Sequence, residues 1–227
     1  MTTSRRQPSP TEPCILPDAS ADPPELFLAW ERPCTTIAFS SVGASNDLSS
    51  EQVLGIVQRS IGAWEAVSCD GTPLGIDIQV RSDTSTCEAP LYRDGGGNAN
   101  TLIFQETWPL TNDAEAFALT TVWHRRSTGE ILDVDIEVNE ERGPYGVCPA
   151  EGCTDARTVD LENVLTHELG HYLGLAHSTE TEATMFVSAV AGEVLKRDLH
   201  PDDIAGICTV YPSGSPSEEC NYEPRGG

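Results

Sequence analysis

The chain has 227 residues and carries a formal net charge of −23, from 36 acidic and 13 basic residues. This length is enough for one domain of moderate size with tails. A surface this acidic repels phosphate backbones, so we expect no nucleic-acid partner. No segment approaches the roughly 18 apolar residues of a membrane span. We therefore expect a monomeric domain without a membrane-spanning helix.

The two ends of the chain lack the apolar periodicity of its middle. We expect residues 1–28 to be a flexible N-terminal segment and residues 213–227 to be a flexible tail, because both are rich in Pro, Ser and acidic residues. This leaves one folded domain at residues 29–212.

The first predicted elements of this domain are a strand at 36–40 and an amphipathic helix. Ser49 and Gln52 have the spacing of a capping box at the helix start. Apolar residues then recur every three to four positions from Val53 to Trp64, which is the period of a helix with one buried face.

Four further strands are predicted, at 76–80, 101–105, 118–124 and 131–139. In the last of them apolar residues alternate with carboxylates, so one face of the strand is apolar and the other is acidic. The acidic residues are Asp133, Asp135 and Glu137.

Two more helices complete the predicted elements. One starts near residues 158–160 and runs to Gly174 with a continuous apolar stripe. The other begins at Pro201, a favourable first-turn residue, and its Asp202 and Asp203 complement the helix dipole. The order strand, helix, several strands, helix, loop, helix predicts an α+β or mixed α/β fold in a single domain.

Eight cysteines at scattered positions, without a C-x-x-C pair, indicate disulfides rather than a zinc–thiolate site. Disulfides form in an oxidising compartment, so we expect a secreted, extracellular protein. The first residues contain no apolar segment of a signal peptide, which leaves open a processed chain or a start further upstream. Connectivity does not follow from sequence, and our working hypothesis pairs neighbours: Cys14–Cys34, Cys69–Cys87, Cys148–Cys153 and Cys208–Cys220.

The second long helix contains the candidate catalytic residues. His167 and His171 are four residues apart, so their imidazoles lie on one helical face and can converge on a zinc ion. Glu168 lies beside the first histidine, where a general base could reach a metal-bound water. Gly174 suits the backbone conformation that ends a helix, and the chain can then turn back so that His177 becomes the third ligand.

These residues carry a specific family resemblance. The segment HELGHYLGLAH, from His167 to His177, resembles the extended zinc motif H-E-x-x-H-x-x-G-x-x-H of the metzincin clan. The residue that follows, Ser178, is the one found in matrixins. Met185 resembles the methionine of the Met-turn, whose sulfur packs beneath the metal, and the segment DDIAGI before Tyr211 resembles the closing matrixin helix. Over residues 29–212 the chain is similar to a bacterial matrixin catalytic domain.

The resemblance implies the fold and the reaction. The fold would be zincin-like, with a twisted, mostly parallel sheet, an antiparallel edge strand, two long helices and a C-terminal helix. The edge strand at 118–124 would bind a protein or peptide substrate by backbone pairing. The activity would be that of a zinc-dependent endopeptidase, in which Glu168 assists a zinc-bound water in hydrolysing the peptide bond.

The sequence departs from the family pattern in two places and leaves a third family feature, calcium binding, open. Animal matrixins hold a second, structural zinc with three histidines and an aspartate, whereas the corresponding region here has only His124, so we expect no structural zinc. The family's calcium sites imply that the carboxylates of strand 131–139 could bind Ca²⁺, and the alternative is a solvated polar face. The segment 186–189 lacks the proline and tyrosine that usually follow the Met-turn.

Two alternatives to an active enzyme remain open on sequence alone. The chain could be a catalytically silent zinc-binding or adhesion module, although Glu168 is retained. It could also be a latent zymogen, because the residues around Cys14 resemble the matrixin cysteine switch. The even cysteine count favours a disulfide for Cys14.

Overall fold

The computed structural model describes residues 26–31 and 34–211 of the chain. Predictions for residues 1–25 and 212–227, including those for Cys14 and Cys220, lie outside the described residues. The helices are α1 (Ser50–Glu65), α2 (Leu161–Tyr172) and α3 (Pro201–Val210), with short 3-10 helices at Glu140–Arg142 and Leu195–Arg197. The strands are β1 (Cys34–Phe39), β2 (Ser68–Cys69), β3 (Thr72–Pro73), β4 (Asp77–Val80), β5 (Thr101–Gln105), β6 (Ala118–His124), β7 (Ile131–Asn139), β8 (Tyr145–Gly146) and β9 (Val159–Asp160).

A five-stranded sheet forms the centre of the fold, in the order β4-β1-β5-β7-β6. Its strands run parallel except β6, which pairs antiparallel with β7 at the edge. The mixed α/β fold with a mostly parallel sheet and an antiparallel edge strand is therefore confirmed. Beyond β6, no further strand pairs with this edge within the described part of the chain.

The first helix has the start that its sequence predicts. The Gln52 amide donates to Ser49 Oγ and the Ser49 amide donates to Gln52 Oε1, which completes the capping box. The apolar stripe of α1 is buried, and its last member, Trp64, is fully enclosed and donates from Nε1 to the Thr166 carbonyl of α2. The two long helices therefore pack against each other as one layer on the sheet.

The acidic face of β7 is not solvated. Asp133, Asp135 and Glu137 are each at most 3% exposed, as buried as the apolar residues between them. The expectation of a solvated polar face is wrong because β7 lies inside the sheet and chain from the β4–β5 connection covers its second face, with the Leu91 amide donating to Asp135 Oδ2 at 2.9 Å.

The disulfides only partly follow the pairing of neighbours. Cys148 pairs with Cys153 as expected, but Cys69 pairs with Cys208, so the pairs Cys69–Cys87 and Cys208–Cys220 are wrong. The reason is spatial, since α3 packs against β2 although the two are far apart in sequence. Cys34 is disulfide-bonded, and Cys87 has a free thiol. Complete pairing of the cysteines is therefore wrong as well.

None of the helices that the structure describes is both long and apolar enough to cross a bilayer.

Candidate metal centre

Helix α2 is fixed at its N-terminus by a buried carboxylate. Asp160 caps the helix by accepting from the Asn163 amide at 2.8 Å, and its second oxygen accepts from the Cys148 amide at 2.9 Å. The Arg197 guanidinium donates to both oxygens of Asp160 and to the Cys148 carbonyl. A charged, hydrogen-bonded network thus sets where the helix starts and how its later turns face the sheet.

The three histidines of the motif converge. One ligating nitrogen from each of His167, His171 and His177 lies within 4.8 Å of the others, and the Nε2 atoms of His171 and His177 are 3.1 Å apart. Gly174 makes this possible with a φ of +96°, and a Cβ there would lie 2.0 Å from the Leu28 carbonyl oxygen. The chain can therefore reverse at this point only with glycine.

Backbone carbonyls orient two of the imidazoles. Nδ1 of His167 is 2.6 Å from the Thr184 carbonyl oxygen, and Nδ1 of His171 is 2.8 Å from that of Leu175. A carbonyl oxygen only accepts hydrogen bonds, so each Nδ1 carries a proton, and in the neutral ring the lone pair is then on Nε2. This is the arrangement in which outer hydrogen bonds prepare histidines for a metal.

Burial disfavours the charged forms of His167 and His177. It lowers the pKa of His167 well below the usual range and that of His177 to about 3, and the charges of His171 and Lys196 act in the same direction. A neutral imidazole is the form that binds metal ions, so the lowered pKa values of these two histidines favour metal binding.

Glu168 lies next to the first histidine and faces the edge strand. Its carboxylate is 6% exposed, and Oε2 accepts a hydrogen bond of 2.5 Å from the hydroxyl of Thr120 in β6. Burial raises the pKa of Glu168, while His171, the Thr120 hydroxyl and Lys196 oppose that rise. The carboxylate is therefore held in one orientation at the junction of α2 and the sheet edge.

Met185 packs against α2 at the turn that carries the histidine motif. A Cβ on Gly170 would lie 2.2 Å from Met185 Sδ and 2.8 Å from Trp64 Cζ2, so only glycine leaves room for the sulfur. The turn itself is fastened by Asp203, whose carboxylate accepts from the Thr184 amide at 2.8 Å and the Met185 amide at 2.9 Å. Asp203, expected only to complement the helix dipole, thus anchors this turn.

Sequence reasoning missed Thr120 and Lys196. Thr120 lies in the predicted edge strand without any feature that distinguishes it, and only the structure brings it to Glu168. Lys196 had one usable signal, since it is the single lysine of the chain. Its ammonium is buried and donates to carbonyls of the segment around Met185.

A second group of buried polar atoms lies on β7, apart from the histidines. Burial raises the pKa of Asp133 to about 8 and that of Asp135 to about 7, and each gains a further rise from a neighbouring carboxylate. Asp135 accepts from two backbone amides, whereas Asp133 Oδ2 has no hydrogen-bond partner among the described residues. His124 ends β6, and its buried Nδ1 also lacks a partner within the described ranges.

Three converging imidazoles, with a buried carboxylate beside the first of them on the same helix, define the class of metallopeptidase-type centres. Within that class the model of the matrixin family matches residues 29–212, and the chain belongs to this family.

Similar proteins come from plants and animals. Metalloendoproteinase 1-MMP of Arabidopsis thaliana is 29% identical over 80% of this chain, and Stromelysin-1 of Equus caballus is 40% identical over 82% of it. Matrix metalloproteinase-C of Caenorhabditis elegans is 27% identical over 82% of the chain. The chain spans 44%, 34% and 29% of the lengths of these three relatives, respectively.

Proposed function

We propose that this chain is a zinc-dependent endopeptidase in which His167, His171 and His177 hold the metal. The chemistry of the donor set fits zinc, which prefers nitrogen ligands in tetrahedral geometry and keeps one position open in catalytic sites. The observation that carries the proposal is the convergence of three nitrogens within 4.8 Å, two of them on imidazoles whose tautomer is set by a carbonyl.

Zinc, when bound, would supply a Lewis acid that polarises the scissile carbonyl and lowers the pKa of water. Glu168 would act as the general base that takes the proton from the attacking water and returns it to the leaving amine. Because Thr120 occupies Oε2, we assign the proton transfer to Oε1 of Glu168. No covalent intermediate between the chain and its substrate is required.

We assign the substrate to the outer edge of β6. This strand ends the sheet order, and six of its seven residues are partly exposed. An unpaired edge binds an extended peptide by main-chain hydrogen bonds, so the substrate would be a protein or peptide segment without structure of its own. The Thr120 side chain joins this edge to Glu168, which brings a bound peptide beside the base.

The test compares wild type with Glu168→Ala for zinc content and for cleavage of casein, with and without a chelator. Glu180→Ala, a change at an exposed glutamate between the third histidine and Met185, is the matched control. We expect about one zinc per chain in all three, with casein cleavage in wild type and the control only. Zinc without cleavage in wild type would favour a catalytically silent module or a latent form.

Free thiols separate these two remaining forms. Because Cys87 is already free, the thiols of unfolded, unreduced protein must be located by peptide mapping rather than counted. A free thiol at Cys14 is expected for a latent zymogen, and its absence rules that form out.

We also propose that the protein is extracellular. The two disulfides of the described residues favour this location, because disulfides persist in oxidising compartments.

We also propose that the carboxylates of β7 bind Ca²⁺. Calcium accepts carboxylate and carbonyl oxygens, and the buried, unpartnered Oδ2 of Asp133 is the oxygen that most needs a cation. Calcium should then raise the melting temperature of wild type by several degrees and that of Asp133→Asn by much less. Equal effects on both proteins would remove Asp133 from the site.

A further inference from the structure

Lys196 is the single lysine of the chain, and it is buried at 3% exposure in the 3-10 helix Leu195–Arg197. None of the ion pairs among the described residues includes it. Instead its ammonium nitrogen donates to three backbone carbonyl oxygens, at 3.4 Å to Ala183, 3.1 Å to Thr184 and 2.5 Å to Phe186. The ammonium also lies 5.6 Å from the centroid of the Phe186 ring. An ammonium removed from water loses much hydration, so a buried lysine whose hydrogen bonds all go to backbone carbonyls calls for a reason.

These three carbonyls belong to the turn that carries Met185. Two amides of the same turn, those of Thr184 and Met185, donate to the Asp203 carboxylate. The turn is therefore held by a carboxylate on its donor side and by an ammonium on its acceptor side. The 3-10 helix is itself fixed to α2, because the Lys196 amide donates to Asn163 Oδ1 at 2.7 Å. The first turn of the histidine helix and the Met185 turn are therefore bridged by a single residue, Lys196, through its backbone amide on one side and its ammonium on the other.

The bridge ends on a metal ligand. The Thr184 carbonyl oxygen is shared, since it lies 3.1 Å from Lys196 Nζ and 2.6 Å from His167 Nδ1. A carbonyl oxygen has two lone pairs and can accept both hydrogen bonds. Holding this oxygen in place fixes both the tautomer and the direction of the His167 ring, on which metal affinity depends.

We propose that Lys196 is a positioning residue of the metal centre, acting through the Thr184 carbonyl on His167. This inference rests on the proposed function, because it concerns the same zinc site. The competing explanation is that Lys196 only stabilises the fold around the Met185 turn.

The experiment measures the zinc dissociation constant of Lys196→Met by competition with a chromophoric chelator, together with the melting temperature of the metal-free protein. Methionine keeps the length of the side chain and removes its donors. The control is Leu195→Met, at a half-exposed neighbour in the same 3-10 helix. We expect Lys196→Met to bind zinc about ten-fold more weakly or worse, as for other outer-shell partners of metal ligands, and the control to bind as wild type does.

The two explanations differ in which quantity changes. A lower melting temperature of metal-free Lys196→Met with a zinc dissociation constant within about two-fold of wild type would leave Lys196 a structural role only, and would overturn the inference. Absence of zinc from folded wild type would instead overturn the proposed function. The two failures are therefore distinguishable.

A second measurement needs no variant and covers the case in which Lys196→Met fails to fold. Coupling between two sites is reciprocal. If the contacts of the Lys196 ammonium strengthen zinc binding, then zinc binding must also stabilise those contacts. Lys196 is the only side-chain amine, so its acylation by an N-hydroxysuccinimide ester can be followed in its own peptide by mass spectrometry. We expect zinc to slow this acylation about ten-fold, matching the expected loss of affinity. Equal rates with and without zinc would contradict the proposal.

Discussion

At the scale of residues, the hydrogen bond between Thr120 and Glu168 connects the edge strand to the proposed base. The histidines could be predicted from local sequence, because His167 and His171 have helical spacing and His177 follows closely after the glycine that ends the helix. The hydrogen bond from Thr120 joins residues 48 positions apart and depends on how α2 packs on β6. A local sequence pattern does not predict such packing. Gly174 could be predicted as a helix end from its local sequence, whereas the contacts of Lys196, the single lysine of the chain, emerged only from the structure.

Thr120→Val keeps the shape of the side chain and removes its hydroxyl. We expect kcat to fall roughly ten-fold or more with little change in KM, since a hydrogen bond to a charged group contributes about 1.5–3 kcal/mol. Thr120→Ser keeps the donor and should recover most of the rate. The measurement is kcat and KM of the three proteins on a peptide substrate. If kcat of Thr120→Ser is as low as that of Thr120→Val, the Thr120 hydroxyl does not contribute to the rate.

Gly170→Ala adds a methyl group where Met185 Sδ would be only 2.2 Å away. We expect a loss of about 1–3 kcal/mol in unfolding free energy, as overpacking of a filled core usually causes. Gly62→Ala in α1 is the control, because a Cβ there meets nothing within 4 Å, and it should stabilise by about 0.4–1 kcal/mol. Denaturant unfolding measures both, and equal effects would argue against the tight packing of Met185 on α2.

At the scale of elements, the sequence periodicity of β7 predicted its secondary structure but not the burial of its acidic face. The alternation of apolar and acidic residues correctly predicted a strand at Ile131–Asn139. It could not predict that the acidic face is covered, because the cover comes from a connection between β4 and β5 that has no periodicity of its own. Burial of Asp133 and Asp135 therefore emerged only from the structure.

This burial makes stability depend on pH. The pKa of Asp133 is about 8 in the folded protein and about 3.9 in an unfolded chain. The folded state thus holds a proton that the unfolded state releases, and stability falls as the pH rises from about 4 to about 8. The buried histidines contribute with the opposite sign, as their lowered pKa values favour folding at higher pH.

Comparing wild type with Asp133→Asn isolates the contribution of the Asp133 carboxylate to the pH dependence of stability, because the histidines contribute equally in both proteins. We expect the melting temperature of metal-free, calcium-free wild type to fall more between pH 5 and pH 8 than that of the variant. Thermal unfolding at several pH values in chelator measures this difference. Parallel curves for the two proteins would mean that Asp133 is ionised in the fold.

At the scale of the whole molecule, the family and the fold could be predicted from the sequence, whereas the disulfide between distant residues could not. The matrixin motif spans only residues 167–177, yet the family match extends over residues 29–212. The disulfide Cys69–Cys208 joins residues 139 positions apart, so it depends on the docking of α3 against β2 and not on cysteine spacing.

The central claim is that one zinc ion is held by the three histidines of the motif. The most direct measurement is the zinc content of wild type, His177→Ala and His124→Ala after dialysis against a weak chelator. His124 is the matched control, because it lies at the end of β6 outside the triad. We predict about one zinc per chain in wild type and His124→Ala, and loss of zinc in His177→Ala. Zinc retained by folded His177→Ala, or absent from folded wild type, would contradict the account.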